Sequence, residues 1–79
     1  MRLDKYLKVA RIIKRRTVAN EACDAGRVIV NGKVARASYD VKIGDIIEIS
    51  FGSRQFKAQV TAVSETVKKD DAAGLYTII

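Results

Sequence analysis

Gly26-Arg27-Val28-Ile29-Val30-Asn31-Gly32-Lys33-Val34 is the stretch in which the chain changes its period. Before it, apolar residues recur every three or four positions. From Val28 onward they alternate, and Asn31-Gly32 is the strongest short-range signal for a two-residue hairpin turn, because both of its residues tolerate positive φ. Gly26 fits the left-handed position just beyond a helix end. The stretch therefore divides a helical part from a sheet part and predicts an α+β fold.

Working back toward the start, Leu3, Leu7 and Ala10 fall at i, i+4 and i+7 and give one apolar stripe on a helix over 2–10. Arg11 to Arg16 is a basic connection, with Ile12 and Ile13 expected to pack beneath it. Thr17 is read as the N-cap of a second helix, and Val18, Ala22 and Ala25 as its apolar face. Two short helices with one greasy face each form a helical hairpin.

Working forward, Lys33 to Ala37 is expected to return as the second strand of the hairpin. Ile43-Gly44-Asp45 and Gly52-Ser53 read as turns. Ile46 to Phe51 is a β-branched strand, and Gln55 to Val63 is a second, with Phe56, Ala58, Val60 and Ala62 on one face. A helical turn over 68–73 and a last strand over 75–79 complete the reading. The architecture expected is a helical hairpin packed on a small twisted antiparallel sheet, one domain over 1–79, with a core motif over about 1–50 and a strand extension over 51–79.

The chain has 79 residues and a net charge of +6. A domain of this size buries only about 60% of its unfolded surface and has no room for a deep cavity behind its core. The charge is uneven: up to Arg36 there are ten Lys/Arg against three acids, and from Ala37 onward five against six. A basic half attracts polyanions, nucleic acid above all. The single cysteine precludes an internal disulfide and suits a reducing compartment. No apolar run approaches a membrane span, and Met1 to Lys8 carries four charges rather than an apolar signal segment. A cytoplasmic location without membrane contact is the expectation.

Enzyme readings lack parts. There is no histidine, Cys23 sits within an apolar helix and reads as a small core residue, and metal-ligand and phosphate-loop spacings are absent. No catalytic residue, metal or cofactor is expected. Asp70-Asp71 reads as a solvated acidic pair.

The positive constellation is Arg2, Arg11, Lys14, Arg15 and Arg16. Arg2 and the Arg15-Arg16 pair lie at two helix beginnings, where free backbone N–H groups and the helix dipole favour an anion. A cation there opposes the dipole, which is easier to understand if phosphate binds, and the planar guanidinium grips phosphate in a bidentate way. The bland alternative is a solvated basic loop. Lys5, Arg27, Lys33 and Arg36 are weaker candidates. Asp4 is read as a favourable first-turn charge and a partner for an arginine. Tyr6 reads either as a base-stacking ring or as a residue half-buried between helix and sheet. This clamp fails if Arg2 and Arg16 lie on opposite sides of the molecule, or if internal acids tie both of them up.

Arg2-Leu3-Asp4-Lys5-Tyr6-Leu7, Lys14-Arg15-Arg16-Thr17, Gly26 to Val34, and Val41-Lys42-Ile43-Gly44-Asp45-Ile46-Ile47 together resemble the RNA-binding domain named after small-subunit ribosomal protein four, with its αL RNA-binding motif. Arg11 to Thr17 and the ending Lys68 to Tyr76 are similar to the RqcP group, relatives of the small heat shock protein numbered fifteen. The resemblance implies a non-catalytic factor of ribosome-associated quality control. It implies binding to 23S rRNA of the large ribosomal subunit and to peptidyl-tRNA on obstructed subunits. It also implies support for alanine tailing by an RqcH-like tailing factor. By position it makes Arg2 and Arg16 the leading RNA contacts, with Arg11, Lys14 and Arg15 supporting. The protein is expected to be a monomer. Alternatives are a general large-subunit assembly or heat-shock RNA-binding factor, a protein-interaction adapter using a sheet edge at Gln55 to Val63, and a severed accessory domain of a modifying enzyme. The last conflicts with the start at Met1 and the apparently finished final strand.

Overall fold

The computed structural model describes residues 1–64 and 74–79; the expected helical turn over 68–73 lies outside them. Two helices, α1 (Leu3–Val9) and α2 (Arg16–Asp24), precede five strands: β1 (Val28–Val30), β2 (Lys33–Val34), β3 (Ile46–Phe51), β4 (Arg54–Val60) and β5 (Tyr76–Ile78). The strands form one sheet in the order β2-β1-β3-β4-β5, and every pairing is antiparallel. This is the α+β architecture expected.

The sheet is built by the alternation read from the sequence. Val28, Val30, Ile47, Ile49, Ala58 and Val60 are buried on one face, and all of these but Ala58 join Leu3, Tyr6 and Leu7 of α1 and Ala19 and Cys23 of α2 in a single cluster. Burying side chains of this size contributes roughly 1.5–3 kcal/mol each, which is what a chain of this length has to offset its ordering entropy. The turn at Asn31-Gly32 has φ of 53° and 82°, the pairing of positive values that a two-residue hairpin loop demands. Val30 faces Lys33 across it.

Both helices end in the same way. At α2, Gly26 (φ 76°) takes the left-handed position, and the N–H groups of Gly26 and Arg27 donate to the carbonyls of Cys23 and Ala22. At α1 the equivalent position is Arg11 (φ 59°), with the N–H groups of Arg11 and Ile12 donating to Lys8 and Leu7. Each is a Schellman ending, one with the residue type that geometry favours and one without it.

Four expectations need correction. Thr17 is not the N-cap of α2: Arg15 is, with extended dihedrals and no side-chain cap bond, and the helix begins at Arg16. The buried face of α2 is Ala19 and Cys23, while Val18 is 47% exposed; small residues populate both faces, so spacing alone could not separate them. The returning strand is only Lys33–Val34, because the chain then turns Ala35 and Ala37 into the core. From Ala58 to Val60 the stretch that starts at Gln55 is not a sheet edge, since β4 pairs there with β3 on one side and β5 on the other.

Candidate nucleic-acid interface

Asp4 is the organising residue. Its side chain is 3% exposed, yet it carries a charge in the first turn of α1. A buried carboxylate is costly unless its oxygens are satisfied, and here they are. Oδ1 accepts from Arg2 Nε at 3.2 Å and from the Lys5 backbone N–H at 2.8 Å. Oδ2 accepts from Asn20 Nδ2 at 3.3 Å and lies 3.4 Å from Arg16 Nε. Burial works against the charge, but hydrogen bonds from Arg2, Asn20, the Lys5 backbone and Arg16 together hold the carboxyl below its ordinary pKa.

The two arginines thus share one side of the molecule, brought there by the start of α1 and the first turn of α2. The other condition set for the clamp is not met: both arginines are tied to one internal acid, Asp4, so the expectation of two free arginines is corrected to two that share a carboxylate. However, one carboxylate serves two guanidiniums, and the arginine side chains remain 51% and 46% exposed. Arg2, Arg16 and Asp4 alone sum to one positive charge, which Glu21 in the lining of the same groove offsets, and each fork has more N–H donors than Asp4 can accept.

Lys14 and Arg15 are exposed on the connection leading into Arg16, and Arg11 is exposed where that connection begins. These extend the basic corner along the chain. Lys5 is half-buried on α1, and Arg27 is exposed just past α2. Lys33 and Arg36 lie elsewhere, lining a groove beside β2 together with Tyr39. The Asp4 corner has its own groove, lined by Arg16, Thr17, Asn20 and Glu21.

Tyr6 does not serve as a stacking ring. It is fully buried, and its hydroxyl donates to the Leu75 carbonyl at 2.7 Å. Cys23 is buried as expected; burial, with Asp4 and Asp24 nearby, pushes its thiol up to about 11, so it stays protonated and unreactive. Two residues escaped the sequence reading. Asn20 reaches Asp4 from the opposite helix; the available signal was a polar residue one turn after Arg16 on the same helical face. Asp45, itself buried, accepts from Asn31 Nδ2, the Tyr39 hydroxyl and the Lys42 backbone N–H. Among the described residues no cluster of His, Cys, Asp and Glu could hold a metal ion, and no helix is long and apolar enough to cross a membrane.

Comparisons with known proteins show the family of the chain. The S4 domain family matches residues 1–47. The RQC P-site tRNA stabilizing factor of Streptococcus pneumoniae is 56% identical over 79 residues, covering 100% of this chain and 90% of that protein. The factor of the same name from Bacillus subtilis is 52% identical, covering 100% and 92%. The trimeric structure of Vibrio cholerae heat shock protein 15 superposes with a TM-score of 0.92 at 31% identity, over 100% of this chain and 81% of that one.

Proposed function

Because the chain belongs to the S4 domain family and, within it, to the RQC P-site tRNA stabilizing factors, we propose that it is a non-catalytic RNA-binding factor of ribosome-associated quality control. It binds 23S rRNA and the peptidyl-tRNA of obstructed large ribosomal subunits in the cytoplasm, and supports alanine tailing by an RqcH-like factor. It acts as a single copy. The observation that carries this reading is the convergence of Arg2 and Arg16, from two helices, on buried Asp4.

The mechanism is a fixed grip on sugar-phosphate chains. Arg2 and Arg16 are the leading contacts, and Arg11, Lys14 and Arg15 extend them; Lys5, Arg27, Lys33 and Arg36 contribute less. Two guanidiniums held by one internal carboxylate lose little further rotamer freedom on binding, so less of the interaction is spent on ordering them. Contacts of this kind position a folded RNA and read little base sequence. A factor that only holds tRNA in place needs no acid, base or nucleophile.

Arg16→Ala tests the reading. It should weaken co-sedimentation with large ribosomal subunits while leaving the thermal transition cooperative. Unchanged co-sedimentation would remove the basis of the grip. The likeness to heat shock protein 15 favours one second reading, a more general large-subunit factor. Equal recovery on subunits with and without peptidyl-tRNA would select it.

A further inference from the structure

We propose a second RNA-contacting site, distinct from the Asp4 corner: the groove beside β2, which takes an unpaired nucleotide with its base against Tyr39 and its flanking phosphates on Lys33 and Arg36. This rests on the RNA-binding reading above and adds a site to it. The groove encloses about 590 Å³ and is also lined by Val30, Val34 and Ser38.

The aromatic ring is held unusually firmly for a loop residue. The Tyr39 hydroxyl donates to Asp45 Oδ2 at 2.9 Å. Its backbone N–H donates to the Arg36 carbonyl, and its carbonyl accepts from Leu3 N–H. Asp45 is itself fixed by Asn31 and by the Lys42 backbone. A ring anchored at its hydroxyl and on both sides of its backbone is a ready platform for a base, because the ordering cost of stacking is already met by the fold.

The charges around it suit an anion. Lys33 and Arg36 are exposed and make no ion pair among the described residues. The nearby acids are engaged: Asp45 with its three donors, and Asp40 with the Met1 ammonium at 2.7 Å. Two cations without an ion pair among the described residues, lining one groove with an immobilised aromatic, are the combination by which single-stranded RNA is held without reading its sequence. An extended peptide adding to the outer edge of β2 fits less well. That strand is two residues long, and one of the two is a lysine, which discourages edge pairing. The groove is also tied to the first site: the backbone of Arg2 bridges to Asp40, next to Tyr39, so one folded RNA can reach both.

The test uses the purified full chain and a labelled single-stranded RNA of about ten nucleotides, followed by fluorescence anisotropy, with large ribosomal subunits as a parallel ligand. Tyr39→Leu and the Lys33→Ala/Arg36→Ala pair should each weaken oligonucleotide binding about tenfold. Tyr39→Phe keeps the ring but loses its hydroxyl anchor on Asp45, and should bind more weakly than the natural chain but clearly more tightly than Tyr39→Leu, which separates stacking from the anchor. Arg16→Ala should leave most of the oligonucleotide affinity while it weakens subunit binding. Oligonucleotide affinity unchanged in Tyr39→Leu overturns the groove site, and so does equal binding of inorganic polyphosphate, or binding of an acidic peptide in its place. Arg16→Ala with normal subunit binding counts against the grip at Asp4 and leaves the groove to be judged on its own variants.

Discussion

The Nε of Arg16 stands 3.4 Å from Oδ2 of Asp4, a carboxylate in the first turn of the other helix. This contact, with that of Arg2 on the opposite oxygen, makes the beginnings of the two helices a single unit. It leads to a prediction that charge alone would not give. Asp4→Asn adds one positive charge to the protein, so a simple attraction to polyanions predicts tighter RNA binding. If Asp4 acts by orienting its two arginines, binding to large subunits should weaken instead, about threefold to tenfold. Stability should fall by about 1–2 kcal/mol, less than for a fully buried pair because the arginines are half-exposed. Denaturant midpoints and co-sedimentation together decide between the two accounts.

The same carboxylate gives the protein a pH dependence of known sign. Asp4 and Asp45 are both held below their ordinary values. In each, burial opposes the charge and is outweighed by donors: Arg2, Asn20, the Lys5 backbone and Arg16 for the first, and the Lys42 backbone, Asn31 and Tyr39 for the second. A depressed carboxylate binds fewer protons folded than unfolded. Its stabilisation is therefore fully present above the unfolded value near 4 and is lost as pH falls through the lower folded value. Thermal midpoints should be flat from about pH 5 to 7 and fall below about pH 4. Asp45→Asn should flatten part of that decline. A profile in the variant that parallels the natural chain throughout would mean Asp45 adds nothing to it.

Arg11 holds a left-handed backbone, φ 59°, at the position that Gly26 fills in the second helix. A residue with a Cβ is disfavoured there by roughly 1 kcal/mol relative to glycine. Arg11→Gly should raise stability by up to about that amount, since the Schellman hydrogen bonds to Lys8 and Leu7 need no side chain. The same change removes one cation from the basic connection and should weaken subunit binding. Gain in one and loss in the other would show a residue kept for its charge at the expense of its backbone. A lower melting temperature in Arg11→Gly would contradict the conformational argument.

Much of this fold could be read directly. The Ile46–Phe51 strand, the Asn31-Gly32 turn and the Leu3-Leu7-Ala10 stripe all rest on local periods and on residue types with narrow backbone preferences. What could not be read was non-local or degenerate. Val18 and Ala19 begin two equally small-residue faces on α2, and only the position of the sheet selects Ala19 and Cys23. Thr17 is a better cap than Arg15 by side-chain chemistry, but the chain enters α2 two residues earlier, with Arg15 as the cap and Arg16, which meets Asp4, as the first helical residue. The bond from Asn20 to Asp4 spans sixteen residues; the i, i+4 spacing puts Asn20 on the face of Arg16 but does not name Asp4 as its partner. Charge asymmetry located the basic corner and the first-turn position of Asp4 suggested one arginine partner, while only packing revealed that Asp4 is buried and shared by two.

Tyr6 ties the first helix to the end of the chain. Its buried hydroxyl donates to the Leu75 carbonyl, immediately before β5, and Thr61 N–H donates to the same carbonyl. Tyr6→Phe removes one donor without opening a cavity and should cost about 1 kcal/mol. The effect should concentrate at the C-terminal strand. Amides of Tyr76 to Ile78 should exchange faster with solvent, while those of β3, paired on both sides, should change little beyond the global loss of stability. Uniform acceleration across the sheet would show that β5 has no local opening of its own.

Salt dependence separates the roles of the basic residues most directly. Each phosphate neutralised by a lysine or arginine releases condensed counterion, so the slope of log affinity against log salt is about −0.7 to −0.9 per contact. If Arg2, Arg11, Lys14, Arg15 and Arg16 meet about four or five phosphates between them, the natural chain should show a slope of roughly −3 to −4.5 on a structured RNA. Arg16→Ala and Arg15→Ala should each reduce its magnitude by a little under one. Asp4→Asn should weaken binding with a smaller change in slope, because the cations stay and only their placement is lost. Tyr6→Phe should leave the slope alone. A natural slope near zero, or variants of Arg15 and Arg16 that bind more weakly with the natural slope intact, would mean that these arginines act on something other than the phosphate backbone.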